Sequence, residues 1–237
     1  MPKRYWWVIA TYVLMQLSAF LGIPLLLIAG FAKTQSEVLW SMVSFLGAFV
    51  VILMLLREDM KKSNLSRHRA SVDESILWMF IGVLLAFAAQ IVSGMIEQAL
   101  GVHHASENTK MITDIAKKMP VFIVVVAIIG PILEETVFRK VIFGTLRKRF
   151  DFTISALSSS LLFGIAHIDF AFLLTYTAMG FIFAFLYEKT KRILVPIVAH
   201  ASMNTFVVLI QVIFSDKLEK YIQHLKETES FIRTFLS

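Results

Sequence analysis

Seven apolar segments, joined by short loops that hold most of the charge, dominate this 237-residue sequence. A helix needs about 20 mainly apolar residues to cross the hydrocarbon core of a bilayer, and most of these segments reach or approach that length. Lipid offers the backbone no hydrogen bonds, and the segments lack the alternation of strands, so each is predicted to be a transmembrane α-helix. The sequence therefore predicts an all-α, polytopic transmembrane helical bundle with about seven or eight membrane helices. The predicted spans are 5–31, 38–56, 76–99, 120–146, 153–168, 170–187 and 193–214.

The composition also indicates a membrane protein. Hydrophobic residues make up 57% of the chain and charged residues only 17%, whereas a soluble domain has about 25% charged residues. The first span begins almost at the amino terminus and lacks a clear cleavage site of small residues, so we predict that it is retained. The chain has no cysteine, which excludes disulfides, thiolate metal sites and a cysteine nucleophile.

The distribution of charge predicts an orientation in the membrane. The formal net charge is +6, but the basic residues gather between spans, where they set topology, so we expect no nucleic-acid partner. Thirteen lysines and arginines lie at the amino terminus and in the loops 57–75, 147–149 and 188–192, against four in the opposite loops. The positive-inside rule therefore places the amino terminus in the cytoplasm. The stretch 101–118 is interpreted as a polar loop on the other side.

The stretch 130–139 of the fourth span carries three ionisable residues in an otherwise apolar sequence: Glu134, Glu135 and Arg139. Ionisable side chains at membrane depth are energetically costly and mark functional sites. Glu135 and Arg139 are one helical turn apart, acid before base, and are predicted to form an ion pair that supports the helix. Glu134 projects about 100° away from Glu135, which leaves it available as a general base. Pro131 is expected to bend the helix and to leave one backbone carbonyl without its partner.

Two later spans each carry a pair of residues at helical spacing that includes a histidine. Phe163 and His167 are one turn apart, and so are His200 and Asn204. The second pair aims an imidazole and a carboxamide into the same space, as an oxyanion hole requires. Asp169 either orients the His167 ring or lies at the membrane surface, and the sequence leaves both options open. Solvated loop positions are predicted for the other histidines: His68, His103, His104 and His224.

The three motifs resemble those of a known family. They read Glu-Glu-x-x-x-Arg over 134–139, Phe-x-x-x-His over 163–167 and His-x-x-x-Asn over 200–204. In type, order and spacing they are similar to the CPBP family of intramembrane proteases, also called the Abi or CaaX-protease and bacteriocin-processing family, which includes the type II CaaX prenyl protease. The resemblance covers roughly residues 120–210 and implies a membrane-embedded peptidase.

The resemblance also implies roles for individual residues. Glu134 and His167 would activate the attacking water, while His200 and Asn204 would stabilise the tetrahedral oxyanion. Supporting roles would fall to the other motif residues: Glu135, Arg139 and Phe163.

Two interpretations of the cofactor requirement remain open. Family members are often labelled metalloproteases, and Glu134, His167 and His200 could supply the three protein ligands of a zinc ion. The sequence has no HExxH motif, and a metal-free glutamate mechanism accounts for the same residues and for Asn204 as well. We therefore expect that no cofactor is required, with zinc as the alternative.

The resulting prediction is an intramembrane endopeptidase that hydrolyses a peptide bond in a membrane-associated or lipidated peptide precursor. A non-enzymatic membrane scaffold or regulator on the same fold is the alternative, and a transporter is disfavoured because no internal repeat relates the spans. The expected location is a bacterial plasma membrane. We expect one integral membrane domain over 1–237, with catalytic core helices in 120–210 and a polar or interfacial tail at 215–237.

Overall fold

The structure is a computed structural model that describes residues 1–63, 69–104 and 106–214. The described part of the chain is 86% helical and contains no strand. The predicted tail at 215–237, His68 and His224 lie outside the described residues. The helices are α1 (Lys3–Ile28), α2 (Lys33–Ser63), α3 (Val72–Ala99), α4 (Glu107–Lys118), α5 (122–146), α6 (Phe152–Ala166), α7 (Leu173–Thr190) and α8 (Leu194–Phe214).

The predicted fold class, an all-α membrane bundle, is confirmed. Among the described helices α1, α2, α3, α7 and α8 are each long and apolar enough to cross a membrane, and α6 is a shorter apolar helix. Each of these helices coincides with a predicted span. Large apolar side chains point away from the protein interior along them, as lipid-facing surface requires; Phe20 is 76% exposed and Phe80 is 66% exposed. The protein is therefore an integral membrane protein.

The polar stretch 101–118, predicted to be a loop, is largely the helix α4, so that prediction was wrong. The Ser106 side chain accepts a hydrogen bond from the backbone N–H of Thr109 and caps the helix. Glu107 lies in the first turn and two lysines lie in the last turn, which matches the helix dipole. Ile115 is buried against α2 and α5. Packing of this kind stabilises short helices in proteins and is not visible in local sequence.

Helix α5 lies between two groups of helices. On one side Leu133 and Val137 of α5 belong to an apolar cluster built with α1, α2 and α6. On the other side α5 contacts α7, which packs against α3, α6 and α8. Gly180 lets α7 approach α6 closely, because a Cβ added there would lie 3.0 Å from Cβ of Ser160. Residues on α5 that face this junction are consequently shielded from lipid.

Several basic segments meet at one end of the bundle. Met1 and Leu146 line the same apolar groove, which places the start of α1 beside the end of α5. Arg147, just after α5, pairs with Glu188 near the end of α7 at 3.3 Å. The charge asymmetry noted in the sequence therefore has a structural counterpart. That this end faces the cytoplasm stays a prediction.

Candidate active site

Helix α5 changes its hydrogen-bond register around the two glutamates. The short segment Gly130–Glu135 is α-helical, and the π-helical segments Val125–Ile129 and Thr136–Phe143 flank it. The π-helix is rare and is frequently found at functional sites. The two glutamates therefore project from a short α-helical segment that lies between two π-helical segments.

Pro131 leaves one backbone carbonyl of α5 without a backbone N–H partner, as its position in the sequence predicts. A side chain from α8 donates a hydrogen bond to this carbonyl. The N–H of Gly130 bonds to the carbonyl of Val125 in the π register. The next bond in that register would reach Val126, but proline has no N–H to donate. Asn204 donates through Nδ2 to the Val126 carbonyl at 3.4 Å. Asn204 is thereby attached to the backbone of α5.

Glu135 and Arg139 form the buried ion pair that their spacing predicts. Arg139 Nε lies 3.1 Å from Glu135 Oε2, and both side chains are 0% exposed. The N–H is not aimed at the oxygen, so the contact is ionic, and the guanidinium makes no hydrogen bond to the described residues. Arg139 Cζ instead lies over the ring of Phe163, 4.6 Å from its centroid. Two further rings surround the cation at distances of 5.8 Å and 6.0 Å: Phe183 and Phe138.

His200 lies between the two glutamates. Its Nδ1 is 2.9 Å from Glu135 Oε1, and its Nε2 is 3.7 Å from Glu134 Oε2. Because a carboxylate accepts hydrogen bonds, the contact with Glu135 places a proton on Nδ1 and fixes the ring orientation. The Phe183 ring stacks on the imidazole with centroids 4.6 Å apart. Glu135 therefore contacts both Arg139 and His200. Sequence spacing predicted only the contact with Arg139.

His167 ends helix α6, and its ring is held by a backbone carbonyl. Its Nδ1 lies 2.8 Å from the carbonyl oxygen of Phe163, which only accepts, so Nδ1 carries the proton and Nε2 is left as an acceptor. The Phe163 ring contacts both imidazoles, with centroid distances of 4.6 Å to His167 and 5.8 Å to His200. Tyr176 of α7 stacks on His167 at 4.1 Å. A single phenyl ring thus separates two histidines from different helices.

Asp169 makes no hydrogen bond to the His167 ring among the described residues, and that it lies at the membrane surface stays a prediction. Its Oδ2 accepts a hydrogen bond from the Ser106 hydroxyl at 2.6 Å, so it contacts the cap of α4. In the first turn of α4, Asn108 donates to the backbone carbonyl of His167 at 3.3 Å. The segment after α6 is therefore bonded to the start of α4.

Glu134 is the carboxylate of this cluster that is partly exposed at the protein surface. Its side chain is 17% exposed, whereas the side chain of Glu135 is 0% exposed. Among the described residues, no side-chain nitrogen of Arg139 lies within 4.0 Å of a carboxylate oxygen of Glu134. The position of Glu134 agrees with the roughly 100° separation that helical geometry gives neighbouring residues. An accessible carboxylate beside an imidazole is the arrangement that water activation requires.

The positions of the donors bear on the zinc alternative. The 3.7 Å between His200 Nε2 and Glu134 Oε2 is compatible with two ligands of one ion at about 2.0–2.2 Å each. A zinc site needs at least three protein ligands, and among the described residues no group of three histidine, aspartate or glutamate side chains could hold a metal ion. The described geometry therefore does not assemble the three-ligand set of Glu134, His167 and His200.

Two ring contacts of the cluster had no signal in the sequence, and a buried carboxylate of the predicted span 76–99 was not singled out. Phe183 and Tyr176, which stack on the two histidines, are two among the 21 phenylalanines and 5 tyrosines of the chain. Glu97, at the end of α3, is a buried carboxylate that bonds to the start of α7. Only the packing of α3 and α7 against the site distinguishes these side chains from other residues of their type.

Comparison with known proteins shows the family of the chain. Residues 116–206, which contain all three motifs, match the family model described as type II CAAX prenyl endopeptidase Rce1-like. YdiL of Bacillus subtilis strain 168, which is named as a membrane peptidase, is 46% identical over 220 residues that cover 89% of this chain and 90% of the relative. The chain belongs to this Rce1-like family.

Two further relatives of this Rce1-like protein are bacterial. The membrane-embedded CAAX protease MroQ of Staphylococcus aureus strain USA300 is 37% identical over 236 residues, which cover 92% of this chain and 94% of the relative. The UPF0177 protein YxdF of Lactococcus lactis strain IL1403 is 28% identical over 135 residues, 55% of this chain and 74% of the relative. No solved structure was found to match the chain. Family and relatives identify the protein as a membrane protease and so favour the enzyme over the scaffold.

Proposed function

We propose that this Rce1-like protein is an intramembrane endopeptidase in which Glu134 is the general base for hydrolysis of a peptide bond. The observation that carries the proposal is the accessible Glu134 carboxylate, with Oε2 lying 3.7 Å from the Nε2 of a histidine whose other nitrogen is held by Glu135. Burial of the neighbouring groups lowers the local dielectric, which strengthens every charge interaction that the reaction creates.

The attacking water would be held by two acceptors. Glu134 offers a carboxylate oxygen, and His167 offers Nε2 because its Nδ1 donates to the Phe163 carbonyl. A water molecule has two protons, so it can donate to both groups and direct a lone pair at the substrate carbonyl. Transfer of one proton to Glu134 leaves a hydroxide that attacks the carbonyl carbon. Glu134 then returns this proton to the departing amine, so that the carboxylate is regenerated.

We assign stabilisation of the oxyanion to His200 and Asn204. The Asn204 amide has two N–H donors, and its hydrogen bond to Val126 uses one of them. That bond fixes the amide plane, so the second donor is oriented before substrate binds. His200 would donate through Nε2 when both ring nitrogens carry a proton, because its Nδ1 donates to Glu135.

The proposed substrate is a peptide or lipidated peptide that reaches the site from the membrane. A groove of about 430 Å³ lies between α1, α5 and α6 and is lined almost wholly by apolar groups. Phe138 and Ala166 belong to its lining. The ring centroids of Phe138 and Phe163 are 5.3 Å apart, so the groove lies beside the histidine cluster and does not contain it. Candidate substrates are lipidated carboxy-terminal peptides and precursors of bacteriocins or secreted signalling peptides.

We further propose that the protein resides in a bacterial plasma membrane with its amino terminus in the cytoplasm. The bacterial relatives support the first part. The basic segments at one end of the bundle support the second, since positively charged loops are retained on the cytoplasmic side.

Comparison of membrane peptides from cells that produce either the wild type or Glu134→Ala tests this function. We expect mass spectrometry to find a precursor that accumulates in the variant and a shortened product present only with the wild type. The precursor and its product together would identify the substrate and the cleaved bond.

Glu37→Ala is a suitable control for this comparison, because Glu37 forms only a peripheral pair with Lys33 at 4.0 Å. Identical peptides in wild-type and Glu134→Ala membranes, with both proteins present in equal amount, would reject the endopeptidase proposal.

Metal removal is expected to leave activity unchanged. We propose a metal-free mechanism because the described residues contain no three-ligand group. The measurement is the initial rate of peptide cleavage by purified protein in detergent before and after treatment with a chelator such as phenanthroline. A rate that falls with chelation and returns on addition of zinc would contradict the metal-free mechanism and support the zinc alternative.

A further inference from the structure

Glu97 is a buried carboxylate that binds the first turn of a neighbouring helix. It lies near the end of α3 and is 4% exposed. Its Oε1 accepts the backbone N–H of Thr175 at 2.8 Å, and its Oε2 accepts the Thr175 hydroxyl at 2.6 Å. Ser93, one turn earlier on α3, lies 2.8 Å from the same hydroxyl. Three side chains of α3 and α7 therefore form one enclosed network.

The position of Glu97 is unfavourable for its own helix and favourable for α7. A negative charge in the last turn of a helix opposes the helix dipole, whereas a negative charge at a helix start is stabilised by it. Helix α7 has Phe172 at its N-cap, where no side-chain hydrogen bond is made. The first N–H groups of a helix need acceptors from elsewhere. Glu97 thus supplies from α3 the cap that the sequence of α7 lacks.

The capped turn carries a side chain that contacts the catalytic cluster. Tyr176 directly follows Thr175 and stacks on His167, with 4.1 Å between ring centroids and 23° between planes. The Tyr176 hydroxyl lies 3.5 Å from the hydroxyl of Ser106, the cap of α4. His167 is therefore held through its ring face by a residue whose backbone Glu97 fixes, and through Nδ1 by the Phe163 carbonyl.

We propose that Glu97 is a positioning residue for proteolysis: by capping α7 at Thr175 it sets Tyr176 against His167 and so fixes the direction of the imidazole. This inference rests on the proposed function, in which His167 orients the attacking water. It assigns Glu97 a geometric role without direct contact with substrate. A carboxamide can therefore replace it, because glutamine can accept from the Thr175 N–H and donate to its hydroxyl, which then donates to Ser93.

The test compares Glu97→Gln with Glu97→Ala in the purified protein. The probe is a synthetic peptide with the sequence around the bond that the wild-type protein cleaves. We expect Glu97→Ala to lower kcat by about 10²-fold with KM unchanged, since a small misplacement of a reacting group has an effect of that size. Glu97→Gln should restore most of kcat.

A second readout does not depend on activity. The stacked Tyr176 ring shifts the NMR signal of the His167 ring protons, which can be assigned among the 6 histidines by loss of that signal in His167→Gln. We expect the signal to move in Glu97→Ala and to keep its wild-type position in Glu97→Gln.

A matched pair on α7 separates positioning from general stability. Thr175→Val removes the hydroxyl that bonds to Glu97, while Thr190→Val removes a buried hydroxyl that bonds within the far end of the same helix, to the Leu186 carbonyl at 2.7 Å. Only Thr175→Val should lower kcat and move the His167 signal. This pair also serves if Glu97→Ala does not accumulate.

The alternative outcomes are distinct. Wild-type kcat in Glu97→Ala, equal losses in Glu97→Gln and Glu97→Ala, or equal losses in both threonine variants would each overturn the positioning role. Cleavage of the probe by Glu134→Ala would instead reject the proposed mechanism, and the His167 signal would still decide whether Glu97 positions the ring.

Discussion

Replacement of Glu134 by glutamine is expected to lower peptide hydrolysis about 10²- to 10⁴-fold, the usual contribution of a general base. Glutamine has the shape of glutamate, so packing against His200, 3.7 Å away, should be preserved. The amide cannot take a proton from water, and the attacking hydroxide would no longer form. The amount of folded protein in the membrane should stay at the wild-type level, because Glu134 makes no contact with Arg139 that its loss would leave unpaired.

The measurement is the initial cleavage rate of the peptide at equal concentrations of purified protein. Glu37→Gln is the matched control, since this side chain is 22% exposed and lies in the first turn and a half of α2. A Glu134→Gln protein that cleaves at the wild-type rate would show that another group activates the water.

Replacement of Arg139 by alanine is expected to destabilise the protein by about 3–5 kcal/mol, the usual cost of breaking a buried ion pair. Arg139 and Glu135 are both 0% exposed, so the variant leaves a carboxylate buried without its cation. It also empties the space between three phenylalanine rings. The amount of this variant in the membrane should consequently be much lower than that of the wild type, whatever its activity.

Protein level in membranes and denaturant unfolding in detergent micelles measure this effect. Arg147→Ala is the control: its pair with Glu188 is 39% exposed on the arginine side, and such a pair contributes about 0–1 kcal/mol. An Arg139→Ala protein that is as stable as the wild type but inactive would show that the arginine takes part in chemistry rather than supporting α5.

The membrane helices and the Glu135 to Arg139 pairing could be predicted because both depend on local sequence. An apolar segment of sufficient length must form its backbone hydrogen bonds internally in lipid. Residues four apart on a helix share one face. The same rules gave the separate direction of Glu134 and the open carbonyl before Pro131, which the structure identifies as that of Val126.

Prediction from sequence was wrong for 101–118 because the apolar signal that marks membrane spans is absent from a short polar helix. The capping residue Ser106 and the charges at both ends of α4 were present in the sequence. Short helices of this kind depend on tertiary packing, here of Ile115 against α2 and α5.

The sequence by itself determined the class of fold, the number and order of most membrane helices, and the three motifs that identify the family. Only the tertiary structure decided which nitrogen of His200 meets Glu135, where the Asn204 amide is bound, and that Glu97 caps the helix that carries Tyr176. Each of these contacts joins residues more than 60 positions apart. Such contacts depend on how helices pack and rotate against one another, whereas periodicity reports only which residues share the face of a single helix.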